Sequence, residues 1–434
     1  MAVFLDSAMP SAQARFSYIA VDPFRVLRCT PFPWVVTVDG ERRDADAFTV
    51  LAKEMAKFST ADAKGPVPFM GGAVGFYSYE LGGVLEDTPR PKTAPCPADM
   101  MFGLYDTIAA FDLERREAWI ITHDFGIDGR ANAEARAARL AEGLGKNPVP
   151  GPQAIKGTWQ TETSRSDYES RVAAAVEAIR DGDIYQANIT QRFLAEIPAK
   201  TSSYDLYLSL RAAAAAPFCA FINTGHDFHI LSASPERFLK LEPSGAVETR
   251  PIKGTRPRGR DTTEDQALAA ELRASAKDRA ENLMIVDLLR NDLARVCEAG
   301  SVSVPVLCGL ETFPALHHLV SVVTGQLGAG STAIDLLRAA FPGGSITGAP
   351  KIKAMEIIHT LEPSARGPYC GTIAWMGFDG AMDSSIVIRT LVRSGTTLIA
   401  QAGGGIVAES NPAQEYEESL TKVKPLLNVL KDAS

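Results

Sequence analysis

Two acidic pairs carry the spacing of a helix face. Asp278 and Glu281 stand three residues apart in one segment, and Glu415 and Glu418 repeat that spacing near the C-terminus. Residues three apart share one side of a helix, so each pair aims its oxygens in one direction. Two such faces that converge can hold a divalent cation. Mg²⁺ suits them, because it takes carboxylate oxygens, keeps several waters and lets a substrate complete its shell. Spacing alone leaves the plainer alternative open, two solvated faces with ion-pair partners. Lys422 lies four residues after Glu418, the spacing of a helical ion pair worth a few tenths of a kcal/mol. Arg389 stands between Ile388 and Thr390 in a largely apolar run. A charge there needs a partner. A substrate carboxylate gripped by both prongs of the guanidinium would serve, and so would a structural carboxylate.

Glycine is concentrated in three places: Gly254-Thr255, the segment FPGGSITGAPK from Phe341 to Lys351, and Gly403-Gly404-Gly405. Glycine lets backbone approach a ligand and bares N–H donors to anions. None of the three fits the phosphate loop or the dinucleotide fingerprint. Singly each reads as a turn; together they point to an anion other than a nucleotide.

The elements that must position these residues are legible in outline. Trp34 to Val38, Trp119 to Thr122, Leu231 to Ser234, Phe238 to Leu241, Ile386 to Val392 and Thr397 to Ala402 read as strands, the last ended by the three glycines. Helices are expected over Ala131 to Gly143, from a capping box at Ser166 and Glu169 to Gly182, and over Lys277 to Val296. Asn411 with Pro412 opens a last helix, with an apolar stripe of Tyr416, Leu420, Val423, Leu427 and Leu430. Strands and helices do not alternate regularly. The expected class is therefore α+β, a sandwich of largely antiparallel sheets flanked by helices, rather than a doubly wound sheet. Pro and Gly crowd the stretch from Gly143 to Ser164, so the chain divides into an N-terminal region 1–145, a linker 146–163 and a catalytic region 164–434.

The chain has 434 residues, 46% of them apolar and 22% charged, which is ordinary for a globular protein and excludes a disordered, collagenous or coiled-coil chain. A net charge of −8 argues against a general nucleic-acid binder. No run approaches the roughly 18 apolar residues of a spanning helix, and the start MAVFLDSAMP lacks the features of a secretory signal. The six cysteines are scattered, with no C-x-x-C. They read as reduced thiols in a cytoplasmic protein.

Longer strings are more specific: DIYQANITQRF from Asp183, SPERF from Ser234, ETRPIKGTRPRG from Glu248, AKDRAENLMIVDLLRNDLARV from Ala276, HHLVSVVTG from His317, FPGGSITGAPKIKAMEII from Phe341 and GGGIVAESNPAQEYEESLTK from Gly403. Together they resemble the chorismate-utilising enzymes, the family of anthranilate, aminodeoxychorismate, isochorismate and salicylate synthases. The match runs from about Ser166 to Leu430. Within the family the chain is most similar to the aminodeoxychorismate branch. The deciding residue is Lys253 in PIKGT, where anthranilate synthases usually carry alanine. Asn282 also looks like this branch, since anthranilate synthases commonly carry histidine there.

What the resemblance implies is a set of roles. Lys253 would be a covalent nucleophile, and the residue types agree, because burial or a nearby cation lowers an amine's pKa enough for attack. Glu236 would be the general acid for the departing C4 hydroxyl, and so would need a raised pKa. Gln186 falls where the water-using branches place a lysine base, and as a neutral amide it suits ammonia. Glu281 and Glu418 match direct Mg²⁺ ligands; Asp278 and Glu415 match positions that reach the ion through water, with Asp278 one methylene shorter than the usual glutamate. Gly254, Thr255, Tyr369, Arg389, Gly403, Gly404, Gly405 and Lys422 match contacts to chorismate, and Ser345 and Thr347 lie in a matching active-site loop. His318 matches a histidine near the ring. Ser7, Arg15, Phe16, Pro217, Phe218 and Cys219 fall near positions that hold tryptophan in relatives.

No glutaminase elbow and no lyase segment are found. The expected scheme is amination of chorismate to 4-amino-4-deoxychorismate. A separate glutamine amidotransferase subunit would supply the ammonia, and a separate aminodeoxychorismate lyase would finish 4-aminobenzoate for folate synthesis. The rival is anthranilate synthase component I. A catalytically silent chorismate or tryptophan sensor is a remote alternative, at odds with the joint presence of acid, nucleophile and metal carboxylates.

Overall fold

A computed structural model describes the chain except residues 10, 12, 61–63, 93–95, 128, 147–154, 226, 314–315 and 432–434. Its frame is two large, antiparallel sheets of eleven and twelve strands. Alternation along the strands explains the layering. In Ala2–Asp6, Val3 faces the space between the sheets while Phe4 faces outward. In Thr397–Ile406, Ile399 faces inward and Leu398 and Ala400 outward. In Gly72–Tyr77 of the other sheet, Val74 and Phe76 face inward and Ala73 and Tyr77 outward. Successive side chains point to opposite faces, and here both faces are covered, so these strands read as unbroken apolar runs.

Helices cover the outer faces. Ser203–Ala213 and the C-terminal helix Pro412–Leu427 pack Leu206, Leu210, Val423 and Leu426 on the first sheet. Ala47–Met55 and Ala333–Ala340 pack Phe48, Leu51, Leu336 and Leu337 on the second. At one end of the first sheet, Arg165–Arg180 and Lys351–Leu361 bury Val172, Val176, Ala354 and Ile358 against Ile189.

The expected sandwich is the observed architecture. Both sheets take strands from either side of the linker: Ala2–Asp6 pairs with Phe218–Asn223, and Gly72–Tyr77 pairs with Thr372–Gly377. The linker itself carries two short strands, Ile155–Lys156 and Gln160–Thr161; its residues 147–154 lie outside those described.

Four local expectations are corrected. The capping residue of the helix Arg165–Arg180 is Ser164, whose hydroxyl accepts from the Asp167 N–H. Ser166 and Glu169 lie inside that helix, and Glu169 pairs with Arg165 at 2.7 Å. The run Ile386 to Val392 is not one strand. Met382–Ile386 belongs to the second sheet and Thr390–Ser394 to the first, with Arg389 between them at φ +52°. The three glycines do not end their strand, which runs on to Ile406, because small residues let the neighbouring backbone approach. A Cβ on Gly403 would lie 2.1 Å from the Ile189 carbonyl oxygen. The buried stripe of the last helix includes Ser419, Val423 and Leu426, and Leu430 stands beyond the helix in the short strand Leu430–Lys431.

The chain crosses between sheets twice at one place. It leaves the first sheet at Ser234 and enters the second at Arg237, then returns between Ile386 and Thr390. The two crossings are tied together. Ser234 Oγ donates to the Ile386 carbonyl at 2.6 Å, the Ile386 N–H donates to the Glu236 carbonyl at 3.1 Å, and the Ala233 N–H to the Arg389 carbonyl at 3.0 Å. Glu236 and Arg389 are therefore the two charged residues set into the seam.

Candidate active site

Glu236 is only 7% exposed. Burial pushes its carboxyl up to about 7, although a hydrogen bond with the Ser345 side chain and the Lys253 charge hold it down. Lys253 comes from the edge strand Ile252–Pro257. Its Nζ donates to the Ser345 carbonyl at 3.3 Å. Burial lowers its pKa, opposed by the charges of Glu281 and Glu236. Ser345 thus touches the acid through its side chain and the amine through its backbone.

The strand of Lys253 bulges at Gly254. There φ is +75°, and a Cβ would meet the Asp278 Cβ at 2.9 Å. Glycine is needed both for the backbone and for the close approach of the helix Ala276–Ala294. Thr255 Oγ1 lies 2.9 Å from His318 Nδ1, and burial pushes that imidazole down to about 4, so it is neutral at pH 7. Asp278 is already partnered by Arg256, 3.3 Å away. Glu281 is pushed up by burial; Lys253 and Lys277 oppose the rise, and Asp278 and Glu418 add to it.

The other carboxylates descend from the C-terminal helix onto Gly404. A Cβ there would sit 3.1 Å from Glu415 Oε2, 3.6 Å from Glu418 Oε1 and 3.6 Å from Lys422 Nζ. Glu415 accepts from Ser410 Oγ at 2.7 Å and is pushed up by burial. Desolvation acts on Glu418 in the same direction, but Lys422, 2.6 Å away, together with Lys277 and Lys253 holds the carboxyl low. Lys422 Nζ also donates to the Gly403 carbonyl at 3.1 Å. Gln186 is fully buried, and Gly405 leaves room for it, since a Cβ there would lie 2.4 Å from Gln186 Nε2.

Arg389 is half-buried, with no carboxylate within 4 Å among the described residues. Its Nη1 donates to the Lys422 carbonyl at 3.0 Å, and burial lowers its pKa, opposed by Tyr369. Of the two partners open to it, the structural carboxylate is not found. Tyr369 is buried, which drives its phenol far above the ordinary range. Thr347 turns its hydroxyl to the Gly343 carbonyl at 3.0 Å, so its side chain braces the loop that carries Ser345.

The brace goes further, through residues the sequence reading did not single out. Arg366 Nη1 donates to the Ile346 carbonyl at 2.9 Å and Nη2 to the Asn188 carbonyl at 2.7 Å. Its charge is met by Glu362 at 2.7 Å. Asn188 Nδ2 donates to the Ser345 carbonyl at 2.7 Å. Lys351 Nζ ties Ala340 at the start of the loop to Asp292 of the long helix, each at 2.8 Å. A Glu and an Arg four apart beside the apolar run of Lys351–Leu361 were the available signal.

Two helices thus aim four carboxylates at one region, but among the described residues no group of three or more His, Cys, Asp or Glu side chains is gathered as a metal cluster. The donors fit a hard cation of the magnesium type, which is held by one or two carboxylates with waters and substrate, better than an ion needing an all-protein cage.

The six residues near a tryptophan position in relatives gather elsewhere, where Ala2–Asp6, Phe16–Val21 and Phe218–Asn223 meet. Ser7 donates to the Phe16 carbonyl at 2.6 Å. Arg15 pairs with Asp112 and lies 5.0 Å over the Phe16 ring. Cys219 is buried opposite Asp6, Pro217 is buried, and the Arg237 guanidinium sits 5.2 Å over Phe218.

The fold and this gathering of a buried acid, an amine and an arginine without a carboxylate partner suit an enzyme, and comparison with known proteins gives the family. The family described as chorismate binding enzyme matches residues 12–428; the chain belongs to that family. It is 44% identical over 388 residues to aminodeoxychorismate synthase component 1 of Klebsiella aerogenes, covering 89% of this chain and 83% of that protein. It is 38% identical over 435 residues to anthranilate synthase component 1 of Streptomyces coelicolor, covering 97% and 81%. The crystal structure of anthranilate synthase component I from Streptococcus pneumoniae superposes with a TM-score of 0.85 at 32% identity, covering 96% of this chain and 93% of that one.

Proposed function

We propose that the protein is an aminodeoxychorismate synthase component 1, which aminates chorismate at C4. The carrying observation is the meeting of Glu236 and Lys253 at Ser345, each driven by burial toward its neutral form. That is the direction the reaction needs, toward a protonated acid and a free amine. Lys253 Nζ attacks C2, the two ring double bonds shift, and the C4–O bond breaks as Glu236 gives its proton to the leaving hydroxyl, which departs as water. Ammonia then attacks C4, the double bonds shift back, and the C2–N bond to Lys253 breaks. The new ammonium returns a proton to Glu236. The sum is chorismate plus ammonia giving 4-amino-4-deoxychorismate and water.

Arg389, which lacks a carboxylate partner, and Lys422 suit the carboxylates of chorismate, with Tyr369, Thr255 and the backbone of Gly403 to Gly405 around them. Glu281 and Glu418 would hold Mg²⁺, with Asp278 and Glu415 behind them. Bound there, the ion would screen the carboxylates and grip the ring carboxylate of the substrate. Ammonia would come from a separate glutamine amidotransferase subunit, and a lyase would convert the product to 4-aminobenzoate. No helix among the described residues is long and apolar enough to cross a membrane.

The similarity to anthranilate synthases keeps one second reading open. Incubation with chorismate, Mg²⁺ and ammonium, with and without an aminodeoxychorismate lyase, separates the two by mass spectrometry. 4-Aminobenzoate formed only with the lyase supports the proposal. Anthranilate formed without it would make the chain an anthranilate synthase with an unusual lysine.

A further inference from the structure

Gln186 and Asn188 stand two residues apart on the strand Gln186–Glu196, so their side chains share one face. Asn188 commits its Nδ2 to the Ser345 carbonyl at 2.7 Å. An amide held by its nitrogen turns its oxygen the other way, and Asn188 Oδ1 faces Gln186 Nε2 at 3.5 Å. That contact orients the second amide in turn. Gln186 Oε1 then points away from Asn188, buried and without a hydrogen-bond partner among the described residues. A buried acceptor left unpaired is costly, and such groups in native structures call for an explanation. The floor under the pair is Gly405, where a Cβ would lie 2.4 Å from Gln186 Nε2 and 3.0 Å from Asn188 Oδ1. The pair is tied to the site through Ser345, whose carbonyl also accepts from Lys253 Nζ at 3.3 Å.

We propose that Asn188 is a positioning residue that holds the Gln186 amide in one orientation, and that Gln186 Oε1 is the acceptor for an N–H of the attacking ammonia. This rests on the amination reading above. Ammonia gripped through one N–H keeps its lone pair free for carbon. Water gripped by the same oxygen still needs a base, and a neutral amide is none. If the amide rotates by half a turn, Nε2 donates into the site instead and competes for the ammonia lone pair. The relay itself makes and breaks no covalent bond.

A double-mutant cycle tests it, with the full chain, chorismate, Mg²⁺ and ammonium chloride as the nitrogen source. Asn188→Ala should raise the KM for ammonia about tenfold, the loss of one hydrogen bond, while the KM for chorismate and the thermal midpoint change little. Gln186→Glu offers an oxygen in either orientation, so adding Asn188→Ala to it should leave the ammonia KM where Gln186→Glu alone puts it. An unchanged ammonia KM in Asn188→Ala overturns the proposal. So does an equal rise in both backgrounds, or a parallel rise in the KM for chorismate, since those are marks of a structural role. If Gln186→Glu turns over too slowly to titrate, the split between the two KM values in Asn188→Ala decides alone. A wild-type chain that consumes no chorismate with ammonium overturns the amination reading together with the relay; one that aminates normally beside an unaffected Asn188→Ala overturns only the relay.

Discussion

Replacing Glu236 by glutamine should raise stability and abolish most activity, and the stability part has a definite pH dependence. The carboxyl is displaced from 4.5 to about 7, mainly by burial. Because the folded carboxyl binds its proton more tightly than the unfolded one, its contribution favours folding most below pH 4.5 and is lost as the pH rises through 7. The displacement corresponds to about 3 kcal/mol in full, of which about 2.5 kcal/mol falls between pH 5 and pH 8. Glutamine has the same shape and no titration. Relative to wild type, Glu236→Gln should therefore gain about 2.5 kcal/mol in urea unfolding from pH 5 to pH 8. Over the same change, initial rates of chorismate consumption with ammonium should fall by about 10²–10⁴, the usual worth of a positioned acid. A stability difference that does not vary with pH would refute the claim that burial keeps this acid protonated. A rate within tenfold of wild type would refute its role in proton transfer.

Lys253→Ala should remove the covalent adduct, detectable in wild type by intact-protein mass spectrometry after rapid quenching, and most product formation; full activity would reject it as nucleophile. Glu418→Gln should shift the Mg²⁺ titration of activity to higher concentration, and an unchanged titration would take this residue out of the proposed metal site. Arg389→Met should raise the KM for chorismate by about 10–100-fold, the range for a charge-assisted hydrogen bond. It should also leave the thermal midpoint equal or higher, because Arg389 is a half-buried, desolvated cation with no carboxylate within reach among the described residues. A fall in the midpoint with an unchanged KM would make Arg389 a structural residue.

Much of this site was legible in the chain, and the gaps have identifiable causes. The acidic pairs were visible because helix spacing dictates which side chains share a face, and Asp278, Glu281, Glu415 and Glu418 obey it. The break at Arg389 was hidden, because Ile386 to Val392 has the composition of one strand and only the pairing partners show that its halves belong to different sheets. The three glycines looked like a terminator for the complementary reason. Locally they weaken a strand, yet Ile189 and Gln186 need the space a side chain would fill. Asn188, Glu362 and Arg366 act through contacts more than 150 residues apart in sequence, and no periodicity records such a contact. The capping misassignment of Ser166 came from two candidate serines two residues apart, of which only Ser164 has the extended backbone of a cap.

The seam between the sheets explains why these residues sit together at a cost to the fold. Elsewhere the sandwich mostly obeys ordinary packing, with alternating faces and covered sheets, although a second set of buried carboxyls, Glu80 and Asp99, is also pushed up by burial. At and around the seam it departs from this in several ways at once. An arginine is half-buried without a carboxylate and at positive φ. A carboxyl is buried so that its pKa rises to about 7, a half-buried lysine has its pKa lowered by desolvation, and an amide oxygen is left without a donor. Each departure alone destabilises, and a fold under selection for stability alone would remove them. Their concentration at one point, braced by Arg366, Glu362 and Lys351 with nearly every polar atom satisfied, is how a site is held ready for charges that arrive with the substrate. On the proposed reading, a carboxylate would meet Arg389, a leaving oxygen would take the Glu236 proton and an electron-poor carbon would meet Lys253. A carboxylated ring with an allylic hydroxyl would supply all three, which is why the chemistry of chorismate fits this seam better than that of a nucleotide or a simple sugar.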